Sequence, residues 1–322
     1  MFPRREDLVV CFAHPAYRMK ATFDALNTGI QNFEVRDAAD LDRRIGEADV
    51  VLASEMWHNG LIPIASRLRF IQSISSGTNQ YDTMALAERG IRLASAAGTN
   101  AQAVAEHAIG LILAIMRHLP EARDNQVKAH WRGMIGDPAV REDELGGKTL
   151  AIVGLGRIGQ RLARLAKAFD MTVIGFRRDP SPGAGYADSV HPISELKALL
   201  PKADFVALTC PLTPETARII NADTLGVMKS SAYLINVARG GCVDEPALLA
   251  ALNEGRIAGA ALDCTDPEPP AVDSPLWAMP NVFLTPHTGG ETTQYEANVI
   301  EILMENLDRL WRGEVELRNQ IV

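Results

Sequence analysis

A chain of 322 residues, 47 % hydrophobic and 22 % charged, holds enough material for two folded domains and is no disordered polymer. Its net charge of −8 excludes a broad nucleic-acid or anionic-membrane surface. The N-terminus "MFPRREDLVVC" lacks the apolar core of a secretory signal, and the run "AIGLILAIM" is shorter than the roughly 20 residues that span a bilayer. A cytoplasmic protein with no membrane or nucleic-acid partner is therefore the expectation.

The first hundred residues alternate short apolar runs ("LVVCFA", "DVVLAS", "RFIQSIS", "IRLASAA") with helix-like stretches ("DLDRRIGEA", "YDTMALAERG"). Such alternation predicts a parallel sheet covered by helices. Next, "NAQAVAEHAIGLILAIMRHLPEARDNQVKAHWRG" predicts one long helical stretch. Its first turns are apolar most of the way round, as in a helix buried between domains or subunits. A polar loop, "MIGDPAVREDELGGK", leads into "TLAIVGLGRIGQRLARLAKAFDMTVIGF", which reads strand, glycine turn, helix, strand. Further βα units follow, and "ETTQYEANVIEILMENLDRLWRGE" closes the chain as an amphipathic helix. The fold class is α/β, with two doubly wound parallel-sheet domains.

Gly154, Gly156 and Gly159 match G-x-G-x-x-G between an apolar strand and a helix. The three glycines give a tight turn, close approach of backbone to a pyrophosphate, and close helix–strand packing. Ligands of an open α/β sheet bind beyond the carboxyl ends of its strands. There stand Arg239 after "YLINVA", Asp263 after "IAGAAL" and His287 after "NVFLTP", with Glu268 in the proline-stiffened "DCTDPEPP". An arginine pairs with a carboxylate, a histidine trades a proton near neutral pH, and an acid orients that histidine. His107 reads as a packing or interface residue. His14, His58, His118, His130 and His191 have no evident partners. Cys11, Cys210, Cys242 and Cys264 lack metal-ligand spacing and read as reduced, buried thiols, and no metal is expected.

With "GLGRIGQRLARLAKAF", "PLTPET", "LINVARGGCVDEPALLAAL", "GAALDCTDPEPP", "SPLW" and "NVFLTPHTGG" in this order, nearly the whole chain resembles the D-isomer-specific 2-hydroxyacid dehydrogenase family, glyoxylate/hydroxypyruvate reductases included. The resemblance implies a flavodoxin-like substrate domain (1–99 and 291–322) with an inserted dinucleotide-binding domain (100–290). It implies a homodimer built largely through an arm at about 100–147. It assigns Arg239 to substrate binding, Glu268 to orienting the histidine and His287 to proton transfer. Asp263 falls near the nicotinamide amide, and the backbone around Ser76 and Gly77 receives the substrate carboxylate. Arg157, Ile158, Thr209, Pro211, Thr216, Val237, Ala238 and Gly289 complete the implied cofactor set. Met56 and Trp57 are candidates for the substrate side-chain pocket, and Trp131 on the arm for a reach into the neighbouring subunit. "DCT" departs from the family's usual aspartate, valine, aromatic run.

The implied reaction is hydride transfer between a nicotinamide cofactor and C2 of a small 2-keto or 2-hydroxy acid. Formate dehydrogenases share the fold, but Glu268 stands where that branch carries glutamine. Nicotinamide-sensing transcriptional corepressors also share it, but this chain lacks long disordered tails. Arg177 lies 21 residues after Gly156, at the ribose-reading position, with Arg178 beside it. An acid there holds the 2′-hydroxyl of NAD, whereas arginines pair with a 2′-phosphate. The expectation is NADP(H) in preference to NAD(H).

Overall fold

A computed structural model describes residues 2–322. The chain divides into two compact units. The first runs to Asn100 and resumes at Thr292–Val322; the second is Ala101–Glu291.

The first unit is a five-stranded parallel sheet: β1 (Val9–Ala13), β2 (Gln31–Val35), β3 (Val50–Ala53), β4 (Phe70–Ser73) and β5 (Arg92–Ala94), in the order β2-β1-β3-β4-β5. Both faces are covered, so the strands read as continuous apolar runs. Cys11, Val51 and Ile71 pack on one side with Leu41, Leu61 and Leu86. Phe12, Leu52 and Phe70 pack on the other with Val299, Leu303 and Leu307 of the C-terminal helix Tyr295–Trp311. That helix faces the sheet with apolar residues three to four apart.

The second unit has seven parallel strands: β6 (Thr149–Val153), β7 (Thr172–Arg177), β8 (Ser189–Pro192), β9 (Phe205–Leu208), β10 (Tyr233–Asn236), β11 (Gly259–Leu262) and β12 (Val282–Leu284). Their order is β12-β11-β10-β9-β6-β7-β8. The chain winds one way from β6 to β8 and then crosses to β9, so the switch point lies between β6 and β9. Helix Ala101–Met116 lies on one face, where Ala105, Ala108 and Ile112 meet Leu162, Ala163 and Ala166 of helix Arg157–Ala168.

The long helical stretch expected from residue 100 onward is divided in two. His118 takes a left-handed conformation (φ 50°), and a second helix, Leu119–Val127, sets off at 66° to the first. Pro120, which has no N–H to donate, sits at the start of that second helix, where none is needed. The second helix buries none of its residues. Among the described residues no single helix is long and apolar enough to cross a membrane.

Candidate active site

The glycine turn lies at the switch point of the second unit. Gly154 has φ 104°, and a Cβ there would stand 2.5 Å and 2.6 Å from the N and Cα of Cys210 at the end of β9. A Cβ on Gly159 would stand 2.5 Å from the Gly154 carbonyl. These two glycines let turn, helix and strand close on one another. Gly156 differs: a Cβ there meets nothing within 4 Å. Its open side adjoins the first turn of helix Arg157–Ala168, whose amides have no intrahelical acceptor. This is a cradle open to a diphosphate, and the residues present fit a dinucleotide. Thr209 donates to the Gly154 carbonyl at 2.8 Å, and Thr216 donates to the Pro211 carbonyl at 2.6 Å, shaping the loop after β9.

Arg177 is the last residue of β7, and Arg178 follows. Neither guanidinium has a hydrogen-bond or ion-pair partner among the described residues. Asp179 is committed elsewhere: it accepts from the Ser181 amide (2.9 Å) and hydroxyl (2.8 Å), and those bonds hold its carboxyl below the usual range.

Arg239, Glu268 and His287 come from the ends of β10, β11 and β12. Buried Asn236 bends the chain after β10, donating to the Arg239 carbonyl (3.0 Å) and accepting from the Ala238 amide (3.1 Å). The Val237 amide returns to the Leu208 carbonyl at 3.3 Å. Arg239 is extended, with Nη1 on the Ala238 carbonyl at 2.6 Å. Gly240 admits the close approach of the Thr265 carbonyl, which brings the loop carrying Glu268 against the arginine turn. His287 Nδ1 lies 2.5 Å from Glu268 Oε1, with both side chains about two-fifths exposed. Nδ1 is thereby engaged, and Nε2 is left for a reactant. His287 has φ 54°, a left-handed conformation uncommon outside glycine and worth about 1–3 kcal/mol of strain.

Asp263, 3 % exposed, anchors that conformation. Its carboxylate accepts from Thr285 Oγ1 (2.6 Å) and from the Thr288 and Gly289 amides (both 3.0 Å), residues on either side of His287. His107 Nε2 stands 3.3 Å from the same carboxylate and 3.0 Å from Thr285 Oγ1. Burial acts to raise the Asp263 pKa, but the bonds from His107, Thr285 and Gly289 outweigh it and the net shift is downward. His107 is thus a polar partner of the site, not the packing residue its apolar helix suggests.

Three of the other histidines also have acidic partners. His58 meets Asp42 at 2.7 Å, His191 meets Glu195 at 2.9 Å and His118 meets Glu121 at 3.7 Å. All four cysteines are free and buried. Burial pushes the Cys264 thiol up to about 12, so it is no nucleophile at neutral pH.

In the first unit Ser76 and Gly77 follow β4 and are exposed. Their amides donate to no described residue, as a carboxylate-receiving loop requires. Met56 and Trp57, expected at a substrate pocket, are instead packed in the core of this unit with Leu61, Ile62 and Tyr81, at 8 % and 4 % exposure. The Trp57 and Tyr81 rings lie 5.5 Å apart, and the indole N–H is used on Asn59 Oδ1 at 3.2 Å. Apolar burial has claimed both side chains.

A diphosphate cradle, with an arginine and a histidine–carboxylate pair at neighbouring strand ends, defines a dinucleotide-binding α/β unit. Residues 109–289 match the family described as D-isomer specific 2-hydroxyacid dehydrogenase, NAD binding domain. The chain is 37 % identical to the D-3-phosphoglycerate dehydrogenase of Methanocaldococcus jannaschii, over 86 % of this chain and 52 % of that one. It is 37 % identical to the glyoxylate reductase of Pyrococcus furiosus, over 84 % and 80 % of the two chains. It spans about half the length of the D-3-phosphoglycerate dehydrogenases it matches. A solved D-isomer specific 2-hydroxyacid dehydrogenase family protein from Aeromonas salmonicida subsp. salmonicida A449 superimposes with a TM-score of 0.85 at 28 % identity, covering 98 % of this chain and 99 % of that one. The chain belongs to the D-isomer specific 2-hydroxyacid dehydrogenase family.

Proposed function

We propose that this protein reduces a small 2-keto acid to the D-2-hydroxy acid, and runs the reverse oxidation, with NADP(H) favoured over NAD(H). The observation that carries the reading is the 2.5 Å His287–Glu268 pair beside Arg239 at the strand ends of a dinucleotide-binding unit. The bound dinucleotide supplies the hydride donor or acceptor at its nicotinamide. In reduction, His287 Nε2 gives its proton to the oxygen developing charge on C2. Glu268 holds Nδ1–H, fixing the ring and stabilising the imidazolium. Arg239 pairs with the substrate carboxylate and polarises the carbonyl. Arg177 and Arg178, which make no hydrogen bond or close ion pair among the described residues, read the 2′-phosphate, and the commitment of Asp179 to Ser181 supports this. The test is a steady-state panel of glyoxylate, hydroxypyruvate and pyruvate with NADPH and with NADH. Absence of turnover with every keto acid would overturn the reading.

The arm supports a homodimer. Leu119, Val127, Trp131, Met134 and Val140 are exposed, Trp131 at 95 %. A cavity of about 540 Å³ lies between His118, Ala122, Trp131 and Arg132. Large apolar side chains exposed together on one arm are commonly covered in an assembled protein. Sedimentation would give a dimer for the native chain and a monomer for the Trp131→Glu, Met134→Glu double variant. Four unpaired thiols suit a reducing compartment, and we place the enzyme in the cytoplasm.

A further inference from the structure

Arg177 closes β7, and Arg178 opens the connection to β8, residues 178–188. Backbone ties the start of this connection to the glycine turn. The Phe176 carbonyl accepts from the Gly154 and Leu155 amides, both at 2.9 Å. Asp188 ties the far end: its carboxylate accepts from the Val173 amide (2.7 Å) and pairs with Lys167 (2.8 Å). Between these two anchors lies a third, and it is a single side chain.

Gln160 stands in the first turns of helix Arg157–Ala168, with its amide on the Gly156 carbonyl at 2.8 Å. Its carboxamide reaches across to the connection and makes two bonds to backbone. Nε2 donates to the Ala184 carbonyl at 3.1 Å, and Oε1 accepts from the Tyr186 amide at 2.9 Å. Gly185, between those two residues, has φ 60°, and a Cβ there would collide with Oε1, Nε2 and Cδ of Gln160. The glycine therefore lets the carboxamide lie flat against the chain. Ala187 is in the core beneath this helix, with Leu162, Ala163 and Ala166, and Ala184 packs against that core.

With residues 184–186 held, the segment left between anchors is 178–183. It is short and stiff. Pro180 and Pro182 fix their own φ, the Gly183 amide bonds the Pro180 carbonyl at 2.9 Å, and Asp179 binds Ser181. Without Gln160 the segment would run on to Asp188. A loop already held in its binding conformation loses less freedom when it closes on a ligand.

We propose that Gln160 is a positioning residue for cofactor choice: its two bonds to the backbone at 184 and 186 hold Arg177 and Arg178 beside the diphosphate cradle, so that a 2′-phosphate meets a preformed pair of guanidinium groups. The inference rests on the NADP(H) reading given above. Gln160 acts through the loop and not on the cofactor. NADH carries no 2′-phosphate and depends on the glycine turn, which backbone holds to β7 without Gln160.

The test titrates the full chain with NADPH and with NADH, followed by nicotinamide fluorescence. The native chain should bind NADPH about tenfold more tightly than NADH. Gln160→Leu removes both bonds and should weaken NADPH about five- to tenfold, the worth of about one hydrogen bond, while NADH changes less than about twofold. Gly185→Ala, which displaces the carboxamide, should do the same. The double variant should be no worse than the weaker single one, because both changes remove one interaction. Turnover at saturating NADPH should stay within about twofold of native, since Arg239, Glu268 and His287 lie on other loops. Both dissociation constants come from one preparation, so their ratio does not depend on how much of a variant folds. A preference for NADPH that survives Gln160→Leu, equal weakening of both cofactors, additive losses in the double variant, or a loss confined to turnover would overturn the inference and leave the NADP(H) reading standing. Equal affinity of the native chain for the two cofactors, or tighter binding of NADH, would overturn that reading and this inference with it.

Discussion

His107 Nε2 lies 3.3 Å from Asp263 Oδ1, although the two residues come from the first helix and the sixth strand of the second unit. Their contact ties the anchor of His287 to a helix that also packs the core. It also gives a signed dependence on pH. Asp263 has a depressed pKa in the folded state, so its contribution to stability is fully present above the ordinary aspartate range near 4 and is lost as pH falls through the lowered value. Asp263→Asn should lower the melting temperature by a few degrees at pH 6. The gap to the native protein should shrink below pH 4. A gap that stays constant, or widens in acid, would contradict this assignment of the carboxylate.

Removal of the proposed proton carrier should be felt in turnover. His287→Gln should reduce kcat for keto-acid reduction about 10²- to 10⁴-fold. Glu268→Gln keeps a hydrogen-bond acceptor but no charge and should cost less, about 10- to 100-fold. Cofactor binding, followed by NADPH fluorescence, should change little in either variant. Near-normal turnover in His287→Gln would remove the residue from the chemistry.

The arginines at the end of β7 are proposed to set the cofactor ratio. Arg177→Asp should raise the KM for NADPH about tenfold to a hundredfold, because a charge-assisted bond is replaced by repulsion. The KM for NADH should move much less. An unaltered ratio would show that the pair does not read the phosphate.

Gly154→Ala tests the turn itself. The left-handed backbone and the Cys210 atoms 2.5–2.6 Å from the new Cβ leave no room for it. Stability in urea should fall by about 2–3 kcal/mol, and NADPH affinity should fall with it. Gly156→Ala has space within the protein and should leave stability nearly unchanged while weakening NADPH.

Much of this site is legible in the order of residues because its parts are local. The glycine turn is a strand–turn–helix pattern within about twenty residues. Arg239, Asp263 and His287 each close an apolar run, and a parallel sheet brings such ends to one edge. What escapes the sequence depends on partners distant along the chain or carried by backbone. His107 and Thr285 are separated by 178 positions, and a histidine in "AEHAIGL" has an apolar setting that points to packing. His14 is held by two amides, and amides have no residue signature. Asn236 acts on its own strand's backbone, where many polar side chains read alike. Met56 and Trp57 are ambiguous in the sequence for the opposite reason. Their position after a strand suits a ligand pocket, but their size and apolar surface draw them into the core.

The His107–Asp263 contact also limits how this unit can be excised. A fragment beginning at residue 109 would contain the glycine turn, Arg177, Arg178, Arg239, Glu268 and His287. It would omit His107, one of the four groups holding the carboxylate that braces the strained turn at His287. Such a piece would bear the three proposed catalytic side chains and still present its histidine from a loosened hinge. A portable version of this domain has to start at the head of helix Ala101–Met116.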